Sequence, residues 1–261
     1  MISFLKKSIV ATTVLASAPL ASATVYAADE DSSHRGTMGA GYENYLKEHP
    51  TATQNNSVTR EAGRAKSDNR VLDISEWQGE LTANQVKALK ANYDFIIIRA
   101  QYGSETEDAA LEHNSALLDK YNLDFGVYSY SMYENPDDAR YEARTLHNRA
   151  PKAEFYVNDL EENSVTSGGV EQSTKAWYDE MKSLAGNHKV LFYSYENFIN
   201  ENVPQAPNNY DGVWLANYNE QQPSTNHALW QYTDEHYSEE LDQKVDANYI
   251  SSGVSREWFT S

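Results

Sequence analysis

The sequence has no cysteine and few basic residues. Of its 261 residues, 21 are Lys or Arg and 39 are Asp or Glu, which gives a formal net charge of −18 at pH 7. A surface of this sign repels phosphate groups, so we expect neither a nucleic-acid partner nor attraction to anionic lipid. Without disulfides the fold must rest on a hydrophobic core, and an exported protein of this kind is typical of a bacterial surface. The seven histidines lack the spacing of metal ligands, so we expect no metal site.

Long hydrophobic runs are also missing, except at the N-terminus. Two lysines precede the small and apolar residues 8–20, and a small-x-small cleavage pattern ends at Ala27. We therefore predict a secretory signal peptide over residues 1–27, with Ala23 as the second choice for cleavage. Pro19 and the many small polar residues weaken the alternative of an uncleaved membrane anchor. The mature chain is expected outside the cell, secreted or associated with the cell wall.

The stretch after the signal is polar and poor in aliphatic side chains. Residues 28–70 could not bury enough apolar surface to offset the entropy lost on ordering, so we predict a disordered linker there. A short helix over 42–48 is the one local element that we expect in it. From Val71 onwards the composition becomes that of a folded domain, which we place at residues 71–261.

Runs typical of buried strands alternate with helical patterns in this domain. The predicted strands cover 71–75, 95–100, 125–130, 155–158, 190–194, 212–218, 228–233 and 245–250. The predicted helices cover 82–91, 108–121, 136–149 and 170–185. This alternation favours parallel strands with right-handed crossovers, and eight strands suggest a closed α/β barrel. The last three gaps are too short for full helices, so the final third should be mainly β.

Acidic residues lie where three of these strands end or meet. In "FYVNDLEEN" (155–163), Asp159 and Glu161 share one face of an extended chain, about 7 Å apart. Asp73 lies in the first strand and Asp246 in the last, and these strands are neighbours in a closed barrel. Chemistry in such barrels sits at the C-terminal ends of the strands. We therefore expect the four carboxylates to converge at one mouth.

Aromatic residues mark the same strand ends. Aromatic faces stack on pyranose rings, while carboxylates transfer protons at a glycosidic oxygen, so the combination suits a sugar chain. The aromatic residues predicted to bind substrate are Tyr102, Tyr128, Tyr130, Tyr193, Trp214, Tyr218 and Trp230.

Seven short motifs occur in a fixed order from residue 71 to about 250: "DISEWQG", "FIIIRAQYG", "GVYSY", "DLE", "WLANY", "LWQYT" and "VDAN". With them the domain resembles a family-25 glycoside hydrolase, a lysozyme-type N-acetylmuramidase. The resemblance implies an irregular TIM-like barrel of five βα units followed by three mainly β strands. It also implies that the catalytic residues are Asp73, Asp159, Glu161 and Asp246. Leu160 stands where the family often has Val, and the cell-wall-binding repeats of many relatives are missing.

The resemblance further implies an enzyme that cuts the β-1,4 bond between N-acetylmuramic acid and N-acetylglucosamine in peptidoglycan, and we expect it to be a monomer. Glu161 would be the general acid, and Asp159 would assist the substrate's own acetamido group. No cofactor is needed, and no membrane contact is expected after signal removal. A water attack assisted by Asp73 or Asp246 is the alternative route. A non-catalytic glycan-binding barrel and a chitinase-type barrel also remain open, although the latter would need an acid at Val157.

Overall fold

The computed structural model describes residues 36–50, 70–219 and 221–261. The predicted signal peptide at 1–27 lies outside the described residues, as do the parts of the predicted linker at 28–35 and 51–69. None of the helices in the described ranges has the length and apolar character needed to cross a bilayer.

Strands and helices alternate along the domain. The strands in the described ranges are β1 (Arg70–Ile74), β2 (Phe95–Tyr102), β3 (Thr106–Glu107), β4 (Phe125–Tyr130), β5 (Phe155–Asp159), β6 (Lys189–Tyr195), β7 (Gly212–Ala216), β8 (Leu229–Ser238) and β9 (Gln243–Ile250). The helices in the same ranges are α1 (Ala40–Glu48), α2 (Ala83–Asn92), α3 (Leu111–Lys120), α4 (Pro136–Arg149), α5 (Val170–Ala185), α6 (Glu196–Asn202), α7 (Ala206–Asn209) and α8 (Arg256–Thr260). The four helices predicted from the sequence correspond to α2, α3, α4 and α5.

The sheet closes on itself. Its strand order is β1-β9-β8-β7-β6-β5-β4-β2-β3, and an additional pairing of β1 with β2 completes an eight-stranded barrel. Strand β9 is antiparallel to both β8 and β1, while the other barrel pairs are parallel. The short β3 extends the edge of β2. The predicted barrel of five βα units followed by three strands is therefore confirmed.

Local signals in the sequence explain why the main elements form where they do. Strand β2 is buried along almost its whole length, as expected for a strand covered on both faces. At the start of α4, the Asn135 side chain accepts hydrogen bonds from the amides of Asp137 and Asp138, both 3.0 Å away. Helix α2 begins with a reciprocal pair of bonds between Thr82 and Gln85.

Aromatic side chains fill the end of the barrel where the parallel strands begin. Phe95 and Phe155 are the first residues of β2 and β5, and their ring centroids are 5.3 Å apart. Phe259 of α8 packs against both, with centroid distances of 5.0 and 5.5 Å. Gly126 of β4 leaves room for the Phe155 ring, which a Cβ at that position would overlap. The opposite end, where the strands stop, carries the site described below.

Residues 36–50 do not match the expectation of a disordered linker. The predicted short helix falls inside α1, and Met38 just before it is 1% exposed, in the hydrophobic core. Tyr42 and Tyr45 also pack against the barrel. The segment contributes few aliphatic side chains and contacts the barrel through its backbone and its aromatic rings. A composition argument, which counts aliphatic residues, cannot detect packing of this kind.

Candidate active site

Asp159 and Glu161 project from the end of β5. Between them, Leu160 is anchored to β6, because its amide donates to the Tyr193 carbonyl at 3.1 Å and its own carbonyl accepts from Ser194 Oγ at 2.7 Å. The chain thus stays extended past the last strand residue, and the two carboxyl groups remain on one side. Both are buried, with 0% and 2% of their surface exposed.

Asp73 and Asp246 form a second pair, directly opposite each other in the β1–β9 ladder. Asn248 Nδ2 donates to Asp73 Oδ2 at 2.7 Å. Gln231 Nε2 lies 3.4 Å from the same oxygen and donates to Asp246 Oδ2 at 3.1 Å. Two side-chain amides, from β8 and β9, therefore hold the two acids.

The pKa values of the acids indicate that the two pairs belong to one cluster. Burial raises the pKa of Asp73 to about 6, against the lowering effect of hydrogen bonds from Asn248 and Gln231. Burial also holds the pKa of Asp159 well above its usual range, and the charges of Glu161 and Asp73 add to the effect. The pKa of Asp246 is raised well above its usual range by burial and by the charge of Asp73, with a smaller contribution from Glu161. The structure thus brings the four predicted carboxylates together.

Glu161 differs from Asp159 in its hydrogen-bonding partners. Gly39 N–H donates to Oε1 at 2.5 Å, while Gly41 N–H and Tyr42 N–H donate to Oε2 at 2.6 and 3.3 Å. Burial raises the pKa of Glu161 to about 8, and these three amides oppose that rise. In contrast, neither oxygen of Asp159 accepts a bond from an amide or hydroxyl group of the described residues.

Three of the predicted aromatic residues lie inside the barrel beneath the acids. Tyr128, Tyr193 and Trp214 are fully buried. Tyr193 OH donates to Gln231 Oε1 at 2.5 Å, and Trp214 Nε1 donates to Asn248 Oδ1 at 2.7 Å. Tyr193 and Trp214 therefore orient the two amides that in turn hold Asp73 and Asp246, and neither presents an open face to a ligand.

The other predicted aromatic residues divide between the rim of the barrel and the outer face of the sheet, where Trp230 is buried. Tyr102 and Tyr130 stack with centroids 5.3 Å apart, and Tyr218 OH donates to Gln231 Oε1 at 3.1 Å. Tyr102 and Tyr218 are partly exposed, whereas Tyr130 is buried. Because Gln231 points into the barrel, its neighbour Trp230 points outward, where it packs near Tyr232 and Tyr249.

Sequence analysis did not single out Gln231 and Asn248. The alternation of strand side chains could have indicated Asn248, two residues after Asp246 on the same face. To predict Gln231 as a partner of the acids, one would need the register between β8 and β9, which no local sequence pattern gives. Arg99 of β2 forms ion pairs with Asp108 at 2.8 Å and Glu76 at 2.6 Å.

An open groove of about 690 Å³ lies beside Tyr102. It is lined by residues of the loops that follow β2 and β4, including Gly103, Glu105, Met132 and Glu134, and by Tyr141 of α4. In the part of the chain that the structure describes, no three or more His, Asp or Glu side chains are arranged to hold a metal ion.

The family model described as glycosyl hydrolases family 25 matches residues 72–241. Comparison with curated proteins gave no match.

Solved structures with the same fold come from a bacteriophage, from bacteria and from Trichobolus zukalii. The catalytic domain of an endolysin from bacteriophage P40 of Listeria monocytogenes is 28% identical with a TM-score of 0.67, over 76% of this chain and 100% of that one. A glycosyl hydrolase 25 of Streptococcus pneumoniae is 21% identical with a TM-score of 0.64, over 73% and 90% of the two chains. A muramidase from Trichobolus zukalii is 16% identical with a TM-score of 0.60, over 74% and 99%.

Proposed function

Because this chain belongs to glycosyl hydrolases family 25 and is a peptidoglycan hydrolase of the lysozyme type, we propose that it cuts the β-1,4 bond from N-acetylmuramic acid to N-acetylglucosamine. The observation that carries the proposal is the different environment of two adjacent carboxyl groups, Asp159 and Glu161. Such a pair can supply both an acid and a charged partner for a 2-acetamido sugar.

Glu161 is the general acid in this proposal. Its raised pKa keeps a proton available near neutral pH, and protonation of the glycosidic oxygen makes the departing sugar a better leaving group. The proton moves from the Glu161 carboxyl to that oxygen as the bond to the anomeric carbon breaks. Glu161 then acts as the base that activates water in the second step.

Asp159 orients the acetamido group of the substrate. Apart from its contact with the Glu161 carboxyl group, Asp159 accepts no amide or hydroxyl hydrogen bond within the described residues, so an acetamido N–H from the sugar would supply an amide donor. That hydrogen bond favours the ionised form of Asp159 and directs the acetamido oxygen toward the anomeric carbon. The negative charge of Asp159 then stabilises the positive oxazolinium ion that forms.

Asp73 and Asp246 support the floor of the site. Their positions opposite each other, with Gln231 and Asn248 as donors, favour a role in orienting the acid pair and the sugar. In the alternative route, one of them would activate water for a single inverting displacement. Tyr102 and Tyr218, as partly exposed aromatics at the rim, are the proposed stacking surfaces for sugar rings.

The proposal includes export of a monomeric enzyme to the cell wall. The pattern of two lysines, an apolar stretch and a small-x-small site in residues 1–27 supports a cleaved signal, and the substrate lies outside the cytoplasm.

The test is to digest purified peptidoglycan, reduce the new ends with borohydride and identify the sugar alcohols. Muramitol would support the proposal. Glucosaminitol would indicate a glucosaminidase, and new free amines without either sugar alcohol would indicate a peptidase or amidase. NMR of the first product then separates the routes: the β anomer supports assistance by the acetamido group, and the α anomer supports inversion.

A further inference from the structure

Residues 36–49 lie across the site, and their backbone amides bind the carboxyl group of the proposed general acid, Glu161. Oε1 of Glu161 is bound by the amide of Gly39, and Oε2 by the amides of Gly41 and Tyr42. A general acid must bring one oxygen within about 3 Å of the glycosidic oxygen, in a position that these amides now fill. Amide donors at the start of a helix also lower the pKa of Glu161 against the effect of burial, which reduces the fraction that carries a proton.

Two glycines allow the backbone to approach this closely. Gly39 has φ +87°, in the left-handed region, and a Cβ there would overlap the Tyr218 hydroxyl. A Cβ on Gly41 would lie 2.6 Å from Glu161 Cβ and 2.9 Å from Glu161 Oε2. Any larger residue at either position would push the segment away from the carboxyl group.

Side chains anchor the segment on the rest of the mouth. The ring of Tyr42 lies 5.3 Å from that of Tyr195 and 5.0 Å from that of Tyr218, and the ring of Tyr45 lies 5.5 Å from Tyr195. The Met38 side chain is buried in the hydrophobic core. At the N-terminal end of the segment, Arg99 Nη1 donates to the carbonyl of Gly36 at 2.7 Å. These contacts cover the proposed stacking surface on Tyr218.

We propose that residues 36–49 are an autoinhibitory segment, which binds Glu161 through backbone amides and keeps glycan out of the site until it is displaced. The proposal rests on the proposed role of Glu161 and goes beyond it. The segment follows the predicted cleavage site after Ala27, so it would remain attached to the exported enzyme. Because segment and site are on one chain, inhibition depends on the equilibrium between docked and released forms and not on enzyme concentration.

The first test compares two variants of the full chain that introduce the same side chain into α1. Gly41→Val places a branched side chain against Glu161, whereas Asn44→Val changes an exposed position of the same helix. We expect Gly41→Val to raise the initial rate on soluble glycan fragments by about 5- to 150-fold, the usual range for coupling between two sites. Asn44→Val should leave the rate within about twofold of wild type. A Gly41→Val rate equal to or below the wild-type rate would overturn the proposal, and a lower one would mean that the segment completes the substrate site.

Hydrogen–deuterium exchange provides a readout that does not need catalysis. Amides of peptides spanning residues 36–49 should be protected in wild type and in Asn44→Val, and should exchange faster in Gly41→Val. Fast exchange in wild type, or equal protection in Gly41→Val, would overturn the docked geometry. A synthetic peptide of residues 36–49 should also inhibit Gly41→Val, while the peptide carrying Gly41→Val should not.

Glycan binding separates this proposal from the proposed function. Calorimetry with the same soluble fragments should show tighter binding to Gly41→Val than to wild type. If no variant hydrolyses peptidoglycan but this difference in binding appears, the proposed function fails and the blocking role of the segment is supported. If hydrolysis occurs but wild type and Gly41→Val bind and react equally, the function stands and the inhibitory segment is overturned.

Discussion

At the scale of single residues, two carboxyl groups from one strand end have opposite surroundings. Three amides donate to Glu161, and no amide or hydroxyl of the described residues donates to Asp159. Burial raises the pKa of both groups, the amides oppose the rise at Glu161, and the proposed roles require a sugar acetamido group to supply Asp159 with the donor that ionises it. The sequence predicted the pair, because alternation along a strand places residues 159 and 161 on one face.

Asp159→Asn should lower kcat by about 10²–10³-fold, because the negative charge facing the oxazolinium ion is lost. It should also move the basic limb of the pH–rate profile to lower pH. Removal of a like charge and the new amide donor both favour the ionised form of Glu161, so the acid loses its proton at lower pH. Rates measured against pH in a Gly41→Val background check this. A full rate with an unmoved basic limb would show that Asp159 has only a structural role.

Asn248→Leu should destabilise the barrel by about 1–3 kcal/mol, the cost of leaving buried polar groups unsatisfied. Asn248 accepts from Trp214 Nε1 and donates to Asp73 Oδ2, so both groups lose a partner. Denaturant unfolding measures the change. Asn248→Asp is the comparison: it can still accept from Trp214 but adds a charge beside Asp73. Wild-type stability in both variants would contradict the described arrangement.

At the scale of elements, the long helices and the buried strands could be predicted, as could the short α1, whereas the shortest helices could not. Helices α2 and α4 carry their own capping side chains, and the buried strands are marked by apolar runs. Helices such as α7 and α8, of four and five residues, contain too few turns to show a period. They form because tertiary contacts, such as those of Phe259, hold them in place.

Gly126→Ala tests the packing at the end of the barrel away from the site. The added Cβ would overlap the ring of Phe155, and overpacking of this kind costs about 1–3 kcal/mol. We expect the Tm to be lower than that of wild type. The rate of hydrolysis, measured well below the Tm, should be unchanged, because residues at this end of the barrel contribute to stability. The double variant Gly126→Ala/Phe155→Leu should recover part of the loss, because the smaller side chain leaves room for the methyl group. A Tm equal to that of wild type in the single variant would contradict the packing.

At the scale of the whole molecule, the barrel and the meeting of four acids followed from the order of elements. Once β1 and β9 are neighbours, Asp73 and Asp246 must lie side by side. The contribution of residues 36–49 could not be predicted in this way. Its contacts with Glu161 are made by backbone amides, and a sequence pattern does not show which carboxylate an amide will bind.

Stability should fall as pH rises from about 5 to about 8, because several buried acids hold protons more tightly in the folded than in the unfolded chain. The pKa of Asp73 is raised to about 6, that of Glu142 to about 7 and that of Glu161 to about 8, chiefly by burial. A raised acid pKa contributes stability that is present at low pH and is lost as pH rises through the folded-state value. Calorimetric Tm values across this range check the sign.

Glu142→Gln is the control for this pH dependence. It removes one titrating group that hydrogen-bonds Ser129 and the amide of Met132, away from the proposed catalytic acids. The slope of Tm against pH should become shallower in this variant. A Tm that rises between about pH 5 and pH 8 in wild type would contradict the pKa shifts of the buried acids.

The rate of Gly41→Val compared with that of Gly41→Val/Glu161→Gln decides whether Glu161 donates the proton. With the inhibitory segment displaced in both chains, the two proteins differ only in the transferable proton, because Gln keeps the shape of Glu. We expect the rate on soluble glycan fragments to fall by about 10²–10⁴-fold in the double variant, with Tm retained. A folded double variant that keeps more than half of the Gly41→Val rate would contradict the assignment.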